Sequence, residues 1–83
     1  MWAVTWMPKA LRELEGLEQA DRERVVAKLQ EALADPVRSF HRLRGSPWSR
    51  LRVGDHRVFA VLAVRARRLE VHAVRHRSTA YGR

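Results

Sequence analysis

The stretch Trp48-Ser49-Arg50-Leu51-Arg52-Val53-Gly54-Asp55-His56-Arg57-Val58-Phe59-Ala60-Val61-Leu62-Ala63-Val64 decides how this chain folds. Its first six residues alternate, so that Leu51 and Val53 share one face of a strand while Trp48, Arg50 and Arg52 share the other. Gly54-Asp55 is a turn signal. Residues 56–64 are then nearly continuously apolar, as expected of a central strand covered at least in part on both faces. A second turn near Arg65-Ala66-Arg67 leads to Leu69, Val71 and Ala73 alternating with Glu70, His72 and Val74. Three antiparallel strands in a meander follow from this reading.

Towards the N-terminus, Trp2, Val4 and Trp6 alternate with Ala3 and Thr5, the period of a short half-buried strand. Pro8 suits the first turn of a helix, and Ala10, Leu11 and Leu14 put an apolar stripe on it. Gly16 interrupts. A second helix is expected to begin near Asp21, whose carboxylate can cap free backbone N–H groups, and to run through Val25, Val26, Leu29, Ala32 and Leu33. Asp35-Pro36 is expected to end it, and residues 37–47, without a clean period, read as a connecting loop. The sum is one α+β domain over residues 1–83: an N-terminal strand, a helical hairpin, then a three-stranded antiparallel meander. The pairing partner of the first strand is left open.

With 83 residues the core is small. The absence of cysteine rules out disulfides, thiolate metal sites and a thiol nucleophile. No apolar run reaches the roughly 18 residues of a membrane span, and the N-terminus lacks the pattern of an export signal, so a cytoplasmic protein is expected. The net charge of +8 is unevenly spread. Before residue 37 acids and bases nearly balance; after it only Asp55 and Glu70 are acidic, against twelve arginines and all four histidines. A basic face built by the C-terminal half is expected, with RNA, DNA or an acidic protein as partner. Basic residues on strands and loops, rather than along one helix face, speak against an amphipathic membrane binder.

His41, His56, His72 and His76 have few carboxylates near them in sequence to complete a metal site, and no metal is expected. No nucleophile elbow or aspartate–histidine arrangement surrounds the serines, and no glycine-rich phosphate loop is present. What remains is a constellation on the last strands: Arg50 and Arg52, Arg57, then Arg75, His76, Arg77 and Tyr81, with Arg44 just upstream. Such a surface can hold an RNA backbone through its phosphates, while Trp48 or Tyr81 stacks on a splayed base.

Leu43-Arg44-Gly45, the run from Trp48 to Val58, and Val74-Arg75-His76-Arg77 with Tyr81 four residues on together resemble the RelE/ParE toxin superfamily, over nearly the whole chain. Its members typically read L-x-G, Y-R-L-R-V-G-D-Y-R-V and G-H-R-x-x-x-Y at these places. The resemblance implies a β-α-α-β-β-β fold and, for RelE-like members, cleavage of mRNA in the ribosomal A site without a cofactor, by attack of the substrate's 2′-hydroxyl on the adjacent phosphate. It implies that Arg57 contacts the scissile phosphate, that Arg77 is linked to leaving-group protonation, and that Tyr81 orients a base. It also implies a cognate, acidic and partly disordered antitoxin. The chain departs from the pattern by carrying Trp48 and Arg50 near the places of second-strand lysines. Arginine is a poor base, which makes His76 the expected proton acceptor. Two other readings stand beside this one: a ParE-like inhibitor of DNA gyrase, which needs no nuclease residues, and a non-catalytic RNA-binding module.

Overall fold

The computed structural model describes residues 1–79. Its elements are β1 (Ala3–Trp6), α1 (Pro8–Glu15), α2 (Gln19–Ala32), α3 (Pro36–Ser39), β2 (His41–Arg42), β3 (Trp48–Val53), β4 (His56–Ala63) and β5 (Arg68–His76). They form an α+β fold around a mixed five-stranded sheet of order β1-β5-β4-β3-β2. The meander β3-β4-β5 is antiparallel, and β4 is its centre. The partner of β1, left open by the sequence, is β5: Val4 pairs with Leu69 and Trp6 with Val71, in parallel.

One face of the sheet makes the core. Leu51, Val53, Val58, Ala60, Leu69, Val71 and Val74 meet Ala10 and Leu14 of α1 and Val25, Leu29 and Ala32 of α2, and all are buried. The helical residues recur at spacings of three and four, which aligns them along one stripe of each helix. Trp2, Val4 and Trp6 pack against the same cluster.

Local details differ from the sequence reading in two places. Helix α2 begins at Gln19, ahead of Asp21, which lies in the first turn and pairs with Arg24 at 3.5 Å rather than capping backbone groups. The negative charge still suits the positive end of the helix dipole. Residues 37–47 are more ordered than a loop. Helix α2 stops at Ala32, and Asp35-Pro36 starts α3 instead, the Asp35 carboxylate accepting from the Arg38 N–H at 3.4 Å. Phe40 then enters the core, and β2 pairs with β3 through His41 to Arg50 and Arg42 to Ser49. Two residues are too few to display a strand period, which is why sequence alone misses β2.

Beyond the reach of β1, the edge of β5 is closed by α1. The Glu13 carboxylate accepts from the Val74 backbone N–H at 2.9 Å and from Arg75 Nε at 3.3 Å. A strand N–H left without a partner costs about 1–3 kcal/mol. Glu13→Ala is therefore expected to lower the melting temperature by roughly 5–15 °C for a domain of this size. Calorimetry against Glu15→Ala, at an exposed site on the same helix, checks the value.

Candidate nucleic-acid interface

Strand alternation sends every second residue of the meander to the face turned away from the core. Register makes those residues neighbours. Arg52 pairs with Arg57 and Arg57 with Arg75, so three guanidinium-bearing residues stand in a row across β3, β4 and β5. One step along, Arg50 pairs with Phe59 and Phe59 with Ala73, and beyond them Trp48 pairs with Val61 and Val61 with Glu70. The face thus has a cationic end and an aromatic end.

At the cationic end, like charges on directly opposed positions repel, and the surroundings offset this. Arg57 is buried, at 8% exposure, and its Nη1 donates to the carbonyls of Gly54 at 3.1 Å and His56 at 3.0 Å. Arg75 is paired with Glu13. Arg52 is exposed. Gly54 has φ +60° while Asp55 stays at negative φ, the pattern of a type II′ hairpin turn, which only glycine adopts there without strain. Arg77 follows β5 at the same corner: its N–H donates to the Asp55 carbonyl at 2.7 Å and its Nε lies 3.9 Å from the Asp55 carboxylate. With the side chains about two-thirds exposed, that ion pair holds Arg77 only loosely.

The aromatic end is built on Trp48. Its ring lies 5.6 Å from that of Phe59, tilted by 36°, and 5.9 Å from the imidazole of His72, nearly parallel at 28°. The ladder between β4 and β5 shifts register at Phe59/Ala60, so that Phe59 pairs with Ala73 and Ala60 with Val71. His72 is the extra residue, and the bulge turns its ring over towards Trp48. Its Nε2 is 3.3 Å from Glu70 Oε1. Sequence alone offers His72 only as a possible metal ligand, because a bulge that re-aims a side chain leaves no trace in the alternation.

Of the residues singled out in the sequence, Trp48, Arg50, Arg52, Arg57 and Arg75 are brought together on this face. Arg44 is exposed in the turn between β2 and β3, which puts it at the end of the sheet nearer Trp48. His76 points elsewhere: it pairs with His56, shares the parity of Val74, and meets the His56 ring edge-on at 5.5 Å on the core side of the sheet. Its Nδ1 is held by Ser78, with Oγ at 3.0 Å and the backbone N–H donating at 3.2 Å. Tyr81 lies outside the described residues. Two cavities of about 200 and 220 Å³ are lined by Leu51 and α2 and by Phe40, Ser49 and Leu62, away from the arginine row. The arginine-bearing face is therefore a surface suited to an extended polyanion. Among the described residues no group of three or more His, Asp or Glu gathers as a metal site, and no helix is long and apolar enough to cross a membrane.

This combination of fold and basic strand face is that of a small toxin domain, and the comparisons with known proteins place it. The model of the ParE toxin of type II toxin–antitoxin systems matches residues 4–81, and the chain belongs to that family. Solved structures of the RelE branch of the superfamily share its fold. Over 90% of this chain and 96% of the other, the structure of the RelBE2 toxin–antitoxin complex of Mycobacterium tuberculosis superposes with a TM-score of 0.83 at 20% identity. The intact RelBE complex of E. coli gives 0.75 at 25% identity, covering 89% and 94%. The archaeal RelE–RelB complex of Pyrococcus horikoshii gives 0.79 at 20%, covering 95% and 98%. No curated protein sequence matches the chain.

If the face binds single-stranded RNA through phosphates, each phosphate that is no longer neutralised takes about 0.7 from the slope of log affinity against log salt. Arg52→Ala, at an exposed position, is expected to weaken binding of a short RNA similarly for all sequences and to flatten that slope by about this amount. Fluorescence anisotropy across a salt series measures both, and an unchanged slope would place the phosphates elsewhere.

Proposed function

We propose that the protein is the toxin of a type II toxin–antitoxin pair that acts in the cytoplasm as a ribosome-dependent endoribonuclease, cutting mRNA in the A site. The observation that carries this reading is the gathering of Trp48, Arg50, Arg52, Arg57 and Arg75 on one sheet face. Guanidinium groups pre-placed at adjacent strand positions stabilise the charge that builds on phosphorus as the 2′-hydroxyl attacks, and an aromatic platform beside them holds a base in alignment. In this scheme Arg57 and Arg77 act on the scissile phosphate and the leaving oxygen, Tyr81 orients a base, and Arg44 contacts the backbone upstream. Arg57 engages two carbonyls through Nη1, leaving its other N–H groups for a phosphate. His76 is the imidazole nearest Arg77 in sequence.

The partner in this reading is a cognate acidic antitoxin, as in the RelBE complexes that the fold matches. A chain rich in Asp and Glu complements a +8 surface and neutralises the row that RNA would occupy. The family model is described for the ParE toxin, and this observation favours a second reading, inhibition of DNA gyrase.

Purified toxin added to translating ribosomes on a defined mRNA separates the two. New 5′ ends inside the A-site codon are expected with wild type, absent without ribosomes, and reduced by about 100-fold or more in Arg77→Ala. A folded, antitoxin-free protein that leaves mRNA intact but blocks supercoiling by gyrase would establish the second reading instead.

A further inference from the structure

We infer that His72, oriented by Glu70, is the group that accepts the 2′-hydroxyl proton, an inference that rests on the endoribonuclease reading above. Cleavage by an internal hydroxyl needs a proton acceptor close to the phosphate-binding groups. The arginines cannot serve, since a guanidinium stays protonated. An imidazole is the natural candidate, and position sorts the four of them. His56 and His76 lie on the core side of the sheet, where they face each other and where Ser78 occupies His76 Nδ1. His41 pairs with Arg50 at the sheet edge but is exposed and makes no bond to a carboxylate among the described residues. His72 is on the arginine-bearing face, half-buried, stacked on Trp48 and bonded to Glu70.

The bond to Glu70 also fixes which nitrogen is available. A carboxylate accepts, so in the neutral ring the proton sits on Nε2 and the lone pair on Nδ1. Nδ1 makes no hydrogen bond among the described residues. Stacking against Trp48 holds the ring plane, so the nitrogen has one direction rather than a cone of them. A base held by a carboxylate on its far nitrogen is the arrangement by which the imidazole of a Ser-His-Asp triad activates a hydroxyl. Here Trp48 has a double part, as the wall for His72 and as the platform for a base. A nucleotide stacked at the aromatic end would put its ribose beside Nδ1 and its 3′ phosphate towards Arg50 and the arginine row.

The reaction balances without a further reagent. His72 Nδ1 takes the proton as O2′ bonds to phosphorus, and the bond from phosphorus to O5′ breaks. The leaving oxygen takes a proton from water, and the resulting hydroxide recovers the one held on His72. The products are a 2′,3′-cyclic phosphate and a 5′-hydroxyl end. Glu70 touches no reacting atom and is a positioning residue. The charged groups sharing this face with His72 are Arg68, Glu70 and Arg75 on β5, Arg57 on β4, Arg50 and Arg52 on β3, with His41 on β2. Glu13 reaches Arg75 from α1.

The test is single-turnover cleavage of ribosome-bound mRNA over a pH series, with wild type, His72→Ala, His72→Gln, Glu70→Gln and His76→Ala. Ribosome binding and melting temperature are measured alongside, and His72→Gln keeps a planar group against Trp48 should the alanine variant unfold. Both His72 variants are expected to lose about 100-fold or more in rate with binding retained, and to lack the fall in rate on the acid side that a histidine base predicts for wild type. Free imidazole, which fits the space vacated in His72→Ala, is expected to restore part of that variant's rate. Glu70→Gln is expected to lose less than His72→Ala. Wild-type rates and an unchanged pH profile in both His72 variants, or a loss confined to His76→Ala, overturn the inference and leave the proposed function standing. No cleavage by wild type overturns both.

Discussion

Everything in this domain depends on the register of the β3–β4 hairpin. Because side chains alternate with a period of two, a slip of one residue would carry Arg50 and Arg52 into the helix-packed core and turn Leu51 and Val53 out to solvent. The turn prevents the slip. Gly54 takes the positive φ that a two-residue connection demands, and Arg57 closes over it through the carbonyls of Gly54 and His56. The residue that is read as a phosphate contact is thus also a clamp on the turn that sets where every other arginine points.

How much of this is visible in the sequence depends on the scale of the feature. The three long strands, the helical hairpin and the shared face of Trp48, Arg50 and Arg52 follow from periodicity, which is strong because the core selects apolar residues at every second strand position. Arg57 and Arg75 join that face through pairing register, which a single sequence expresses only through the hairpin turn. Shorter features escape. Helix α3 and strand β2 offer four and two residues, fewer than a period can reveal. The parallel pairing of β1 is a long-range contact with no local signal. His72 is hidden by the bulge, and His76 gains weight from its neighbour Arg77 although it lies on the core side of the sheet and Arg77 in the turn beyond β5.

The cationic face is self-repelling, and the fold offsets that repulsion with very few groups. Arg52, Arg57 and Arg75 occupy directly opposed positions, and against them the described structure sets one carboxylate, Glu13, and two carbonyls. Asp55 answers Arg77 through a solvent-exposed contact. Glu13 has a structural task as well, since it satisfies the Val74 N–H where β1 has ended. A single acid therefore seals the sheet edge and steadies the arginine row, which couples the stability of the scaffold to the electrostatics of the surface it presents.

A small core and a self-repelling face together make this a domain whose stability responds to what it binds. A polyanion that recognises the folded face and not the unfolded chain adds about 2.7 kcal/mol at a hundred times its dissociation constant, a large share of the roughly 5–15 kcal/mol that single domains possess. An acidic antitoxin would act in this way continuously, relieving the repulsion along Arg52, Arg57 and Arg75 for as long as it stays bound. RNA would do so only for the length of an encounter. On the endoribonuclease proposal the two ligands would differ by duration: the partner that stays would stabilise the fold, and the one that leaves would be the substrate.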